Sequence, residues 1–131
     1  MKFICFGYLD VENWAKKSEN ERNALIDECL TYDEVLKKNG HWVGGEGLAG
    51  PETTATLHYE NGRVSVTDGP YTETKELLGG LLILEASGRD AAIELISKHP
   101  GIRMGSWEIR PVEDMSGMIR ESEQRRSVTS R

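Results

Sequence analysis

Leu77-Leu78-Gly79-Gly80-Leu81-Leu82-Ile83-Leu84-Glu85-Ala86 is the stretch that decides the fold. An apolar run of this length, with neither helical spacing nor strict alternation, reads as a β-strand covered on both faces. Such a strand belongs in the middle of a sheet. Lys2 to Tyr8, rich in aromatic and β-favouring residues, has the same character and supplies a second central strand.

The chain between and beyond these two strands fills in the rest. Ser18 followed by Glu21 forms a capping-box pattern. Leu25, Cys29, Tyr32 and Leu36 then recur at helical spacing, widened by Ile26 and Leu30, until Asn39-Gly40 stops the helix. Asp10 to Lys17, before it, reads as a polar loop carrying Trp14. His41 to Leu48 is a short extended stretch. Thr54 to Tyr59 and Arg63 to Thr67 flank Asn61-Gly62, the preferred two-residue hairpin turn. Asp90 to His99 is a short helix ended by Pro100-Gly101, and Ser106 to Val112 is a last strand whose Pro111 suits a sheet edge. Without the hairpin the order is βαββαβ, an α+β ferredoxin-like arrangement with an antiparallel sheet and two helices on one face. Residues 1–112 form one domain, and 113–131 form a polar tail expected to be flexible.

Two helices cover only one face of a four-stranded sheet. The other face presents Leu and Ile from the central strands, and packing it on an identical sheet removes the exposed patch. The expected partner is therefore a second copy of the chain.

Composition narrows the function classes. The chain has 131 residues, a formal charge of −6 and 29% charged residues. An acidic balance argues against nucleic acid or an anionic membrane surface as the main partner, because phosphate binding needs clustered Lys and Arg. The basic residues Arg120, Arg125, Arg126 and Arg131 lie in the tail, where a solvated role is expected. Cys5 and Cys29 fit no metal spacing and no CxxC, so both are read as reduced, buried apolar residues. The first apolar run is too short for a signal peptide, and no window approaches a membrane span; the expected location is cytoplasmic.

Val66-Thr67-Asp68-Gly69-Pro70-Tyr71-Thr72-Glu73-Thr74-Lys75-Glu76, followed by Leu78-Gly79-Gly80, resembles the DGPF branch of the YCII-related family, with Tyr71 where that branch has Phe. Val43-Gly44-Gly45-Glu46-Gly47-Leu48 and Trp107-Glu108-Ile109-Arg110-Pro111-Val112 resemble its Gly-Gly-Glu segment and its closing strand. The resemblance implies a dimeric α/β barrel. It also implies, from other members, a His on the first helix working with an Asp in an Asp-Pro element after the second helix, on lactones or chlorinated ring-cleavage products. Here the sequence departs: Ser18 to Asn39 contains no His, and the Asp-Pro position reads His99-Pro100. That pair of roles is not carried over.

Asp68 opens a Gly-Pro turn, where its carboxylate can cap nearby backbone N–H groups or serve as an acid/base group. His99 has the intrinsic pKa suited to a general base, or it is structural. Lys75 can hold an anionic substrate as a point charge, or belong with Glu73 and Glu76 to a solvated charge run. Tyr71 and Glu46 are candidate substrate contacts, with packed-ring and exposed-loop readings beside them. Neither a metal site nor a cofactor motif is expected. The leading expectation is a protein that binds a small molecule, working as a cofactor-free enzyme of proton transfer such as isomerisation, elimination or lactone opening. The alternative is a non-catalytic ligand-sensing or protein-interaction module, which the resemblance links to transcription regulation.

Overall fold

The computed structural model describes residues 1–71 and 74–129; Glu73 of the charge run lies outside them. Strand β1 spans Lys2–Asp10 and leads through a short helix α1, Val11–Lys16, into the long helix α2, Glu19–Lys38. Strand β2 (Trp42–Gly47) follows, then the hairpin β3 (Ala55–Glu60) and β4 (Arg63–Asp68), strand β5 (Glu76–Glu85), helix α3 (Arg89–Ser97), strand β6 (Trp107–Pro111) and helix α4 (Ser116–Thr129). The four-stranded antiparallel sheet has the order β2-β5-β1-β6, and β3-β4 form a separate two-stranded ribbon. The two doubly apolar strands, β1 and β5, are the central pair, and Pro111 lies on edge strand β6.

Local chemistry sets the element ends. Ser18 accepts from the Glu21 N–H while the Glu21 side chain accepts from the Ser18 N–H, closing the capping box at the start of α2. Gly40, at φ 79°, lets the chain leave that helix in the left-handed region. Asn61 and Gly62, at φ 50° and 76°, form the hairpin turn with both central residues at positive φ.

Register explains the core. Phe3, Cys5, Leu82 and Leu84 point to one face, where they pack with Leu36 of α2 and with Ala92 and Ile96 of α3. Residues that alternate with them, Ile4 opposite Ile83 and Phe6 opposite Leu81, point to the other face and stay half-buried.

Two expectations need correction in detail. The stretch read as a polar loop after β1 contains α1, because the Asp10 carboxylate accepts from the Asn13 N–H and nucleates a turn. The polar tail holds helix α4, none of whose described residues is buried. Its charged composition hid a helix that has no apolar stripe to betray it. Among the described residues, no helix is long and apolar enough to cross a membrane.

Candidate functional site

A row of residues crosses the whole sheet beneath α2: Gly47 is in register with Gly80, Gly80 with Gly7, and Gly7 with Trp107. Three of the four strands therefore offer no side chain on the helix side along this row. The space left between sheet and helix is a cavity of about 480 Å³, within the range that holds small organic ligands. Two indoles close its ends. A Cβ on Gly45 would stand 2.7 Å from Trp42 Cη2, and one on Gly7 would stand 2.8 Å from Trp107 Cζ2. Both rings lie against backbone, which glycine alone permits.

Helix α2 forms the roof. Cys29, Asp33 and Lys37 recur every four residues and so share one face, and all three line the cavity. His99 enters from the turn after α3 and is 5% exposed. Its Nδ1 accepts from the Gly101 N–H at 2.9 Å, which leaves Nε2–H to donate to Asp33 Oδ1, also at 2.9 Å. The imidazole is held further by ring contacts with Tyr32 and Trp107, at centroid distances of 5.3 and 5.0 Å. Both of its nitrogens are engaged. Asp33 is half-buried and, among the described residues, only Oδ1 has a hydrogen-bond partner. Burial and the Asp33 charge push the neighbouring Cys29 thiol up to about 11, so it is protonated and inert at neutral pH.

The residues expected from the sequence divide. His99 and Glu46 line the cavity. Glu46, however, is in register with Leu81, which places its side chain on the sheet face away from α2. Asp68 is not brought to His99: it ends β4 opposite Ala55, exposed, and does not line the cavity. Its turn is tied by the backbone instead, with Gly69 N–H donating to Thr54 O and Thr56 Oγ1 donating to Gly69 O. Among the described residues no hydrogen bond reaches the Asp68 carboxylate, so the Asx-type capping is not seen there. Tyr71 is 76% exposed and packs by its ring on His58 beside a second, apolar hollow. Lys75 is exposed, its Nζ 3.9 Å from Asp10 Oδ2. Among the described residues no group of three His, Cys, Asp or Glu side chains could hold a metal ion.

Asp33, Lys37, Trp42 and Trp107 escaped the sequence reading as site residues. A signal existed for Asp33: it is a carboxylate set one position from the apolar stripe of α2, at a helical step from Cys29. The resemblance implies a His on the first long helix and an Asp before Pro; at those places this chain has an Asp and a His. Asp33 stands on the helix and His99 before Pro100.

Two similarities bear on this geometry. The fold is similar to that of a 5-chloro-2-hydroxyhydroquinone dehydrochlorinase from Burkholderia phenoliruptrix, solved in complex with 2,5-dihydroxybenzoquinone. The TM-score is 0.51 and the identity 18%, covering 86% of this chain and 94% of that one. An uncharacterized protein of Rhizobium meliloti is 37% identical over 113 residues, which is 83% of this chain and 88% of that protein. The YCII-related domain itself matches residues 1–116, and the chain belongs to the YCII-related family.

Proposed function

We propose that the chain is a cofactor-free enzyme that moves a proton on a small organic molecule held over the glycine row, with Asp33 as the base and His99 as the residue that positions it. The observation that carries this reading is the hydrogen bond from His99 Nε2–H to Asp33 Oδ1 at the cavity wall. Because Gly101 occupies the other ring nitrogen, His99 has no lone pair to offer a substrate, whereas Asp33 keeps one oxygen for it. The imidazole N–H stabilises the carboxylate, orients it, and can follow it with a proton as charge changes. In this reading the helix residue meets the substrate whichever of the two types stands there.

Convergence of Asp33, His99, Glu34 and Lys37 on one cavity favours an enzyme over an interaction module. The similar dehydrochlorinase makes elimination from an oxygenated ring the first reaction to test, ahead of isomerisation and lactone opening. The protein acts as a homodimer joined through the sheet face of Ile4, Phe6, Leu81 and Ile83.

The test is a turnover screen of halogenated hydroxyquinones and small lactones by product chromatography, with Asp33→Asn in parallel. The reading expects at least one substrate, turned over at least about 100-fold more slowly by Asp33→Asn. Turnover that survives Asp33→Asn intact contradicts it.

A further inference from the structure

We propose that the cavity is built for a flat organic anion, and that Lys37, laid over Trp42, takes its anionic oxygen. This rests on the ligand-binding reading above and names the class of molecule that reading leaves open.

The shape comes from the sheet. With no side chain on Gly47, Gly80 or Gly7, the floor is bare backbone, matched by a planar molecule rather than a bulky one. Edge strands β2 and β6 are three inter-strand steps apart, about 14 Å. Trp107 of β6 reaches inward over Gly7 of β1, while Trp42 stays over Gly45 of its own edge strand, and the floor between them suits a single ring with its substituents.

The charge comes from α2. Lys37 carries the one ammonium among the described lining residues. Its Nζ is 4.9 Å from the centroid of the Trp42 ring, and this cation–π contact holds the head group at the cavity's β2 end. Its ion-pair partner is Glu34 at 3.2 Å, with both side chains largely exposed. Such a pair is weak and yields to a better-placed anion. Glu46 belongs to the other sheet face by register, whereas Asp33 and Glu34 share the α2 wall with Lys37, so among the described residues the ammonium is the one place in the cavity where an anionic oxygen is matched. At the far end, the Trp107 indole nitrogen is buried away from the cavity and offers the ligand no donor. A neutral hydrocarbon would leave the Lys37 ammonium unused.

The experiment is calorimetric titration of the intact chain with 2,5-dihydroxybenzoquinone, an acidic enol that is ionised at neutral pH, and with its neutral dimethyl ether. Wild type, Lys37→Met and Lys37→Arg are compared. Met keeps the stem on Trp42 and removes the charge. The proposal expects the wild type to prefer the anion, Lys37→Met to lose about tenfold on the anion and less than about twofold on the ether, and Lys37→Arg to retain most of the anion affinity. Equal anion affinity in wild type and Lys37→Met, or equal losses on both compounds, overturns the role of Lys37 while leaving the cavity a ligand site. A wild type that binds neither compound overturns the binding reading for this class and the Lys37 proposal with it.

Discussion

The six-membered ring of Trp107 lies against the backbone of Gly7, so close that a methyl group on Gly7 would stand 2.8 Å from Cζ2 and 3.0 Å from Cε2. The indole cannot retreat easily, because a Cβ on Gly101 would meet the same ring at 3.0 Å and the His99 imidazole rests on it. Gly7→Ala is therefore expected to cost about 1–3 kcal/mol by overpacking. Gly45→Ala meets Trp42 at 2.7 Å and the Leu81 carbonyl oxygen at 3.2 Å, but Trp42 sits on an edge strand and can swing outward, so a cost of about 1 kcal/mol, at the low end of that range, is expected. Denaturant unfolding of both variants checks the contrast, and equal costs would remove it.

Cys29 supplies a pH signature of the same wall. Burial, the larger cause, and the Asp33 charge both raise its thiol to about 11. Alkylation by iodoacetamide is expected to be slow at pH 8 and to climb towards a midpoint near 11. Asp33→Asn removes the larger of the two charges that raise it, Glu28 being the other, and is expected to lower that midpoint. The linkage has a definite sign. The protonated thiol is favoured in the folded state, so its contribution to stability is complete below the unfolded pKa near 9 and is lost as pH rises towards 11. Cys5, buried and likewise raised to about 11, adds to the same loss.

The uncovered sheet face gives the assembly prediction. Ile4, Phe6, Leu81 and Ile83 form paired apolar positions that no residue of the core cluster covers. Light scattering at micromolar concentration is expected to give twice the chain mass of 14.7 kDa. Leu81→Glu is expected to give the single mass, because a buried unpaired carboxylate at such an interface is unfavourable.

Much of this architecture was legible because it follows from short-range rules. The capping box at Ser18, the Asn61-Gly62 turn and the two-faced apolarity of β5 each reflect one local requirement, and together they leave few topologies open. The site was less legible. Asp33 and His99 are 66 positions apart, and nothing local announces their meeting. Asp68 drew attention because Asp-Gly-Pro fixes a turn. In the fold that turn ends an exposed ribbon, and the motif's rigidity serves backbone hydrogen bonds at Gly69. The glycine floor was hidden for a different reason: Gly7, Gly47 and Gly80 lie on three strands, and only register lines them up.

Helix α4 is expected to be dispensable for the fold. None of its described residues is buried, so little apolar surface returns to water when it is removed. Truncation after Asp114 should leave the melting temperature within a few degrees. A larger drop would show that α4 docks, for which the partner copy is the available surface.

Whether Asp33 meets the ligand and His99 positions it is decided by a crystal structure of the chain soaked with a substrate that carries the proton to be moved. Density is expected on the Gly47–Gly80–Gly7 row, with a ligand atom about 3 Å from the free oxygen of Asp33 and the His99–Asp33 hydrogen bond intact. A ligand seated instead beside Asp68 and Tyr71, or one in the cavity that bonds His99 while Asp33 turns away, would contradict these roles.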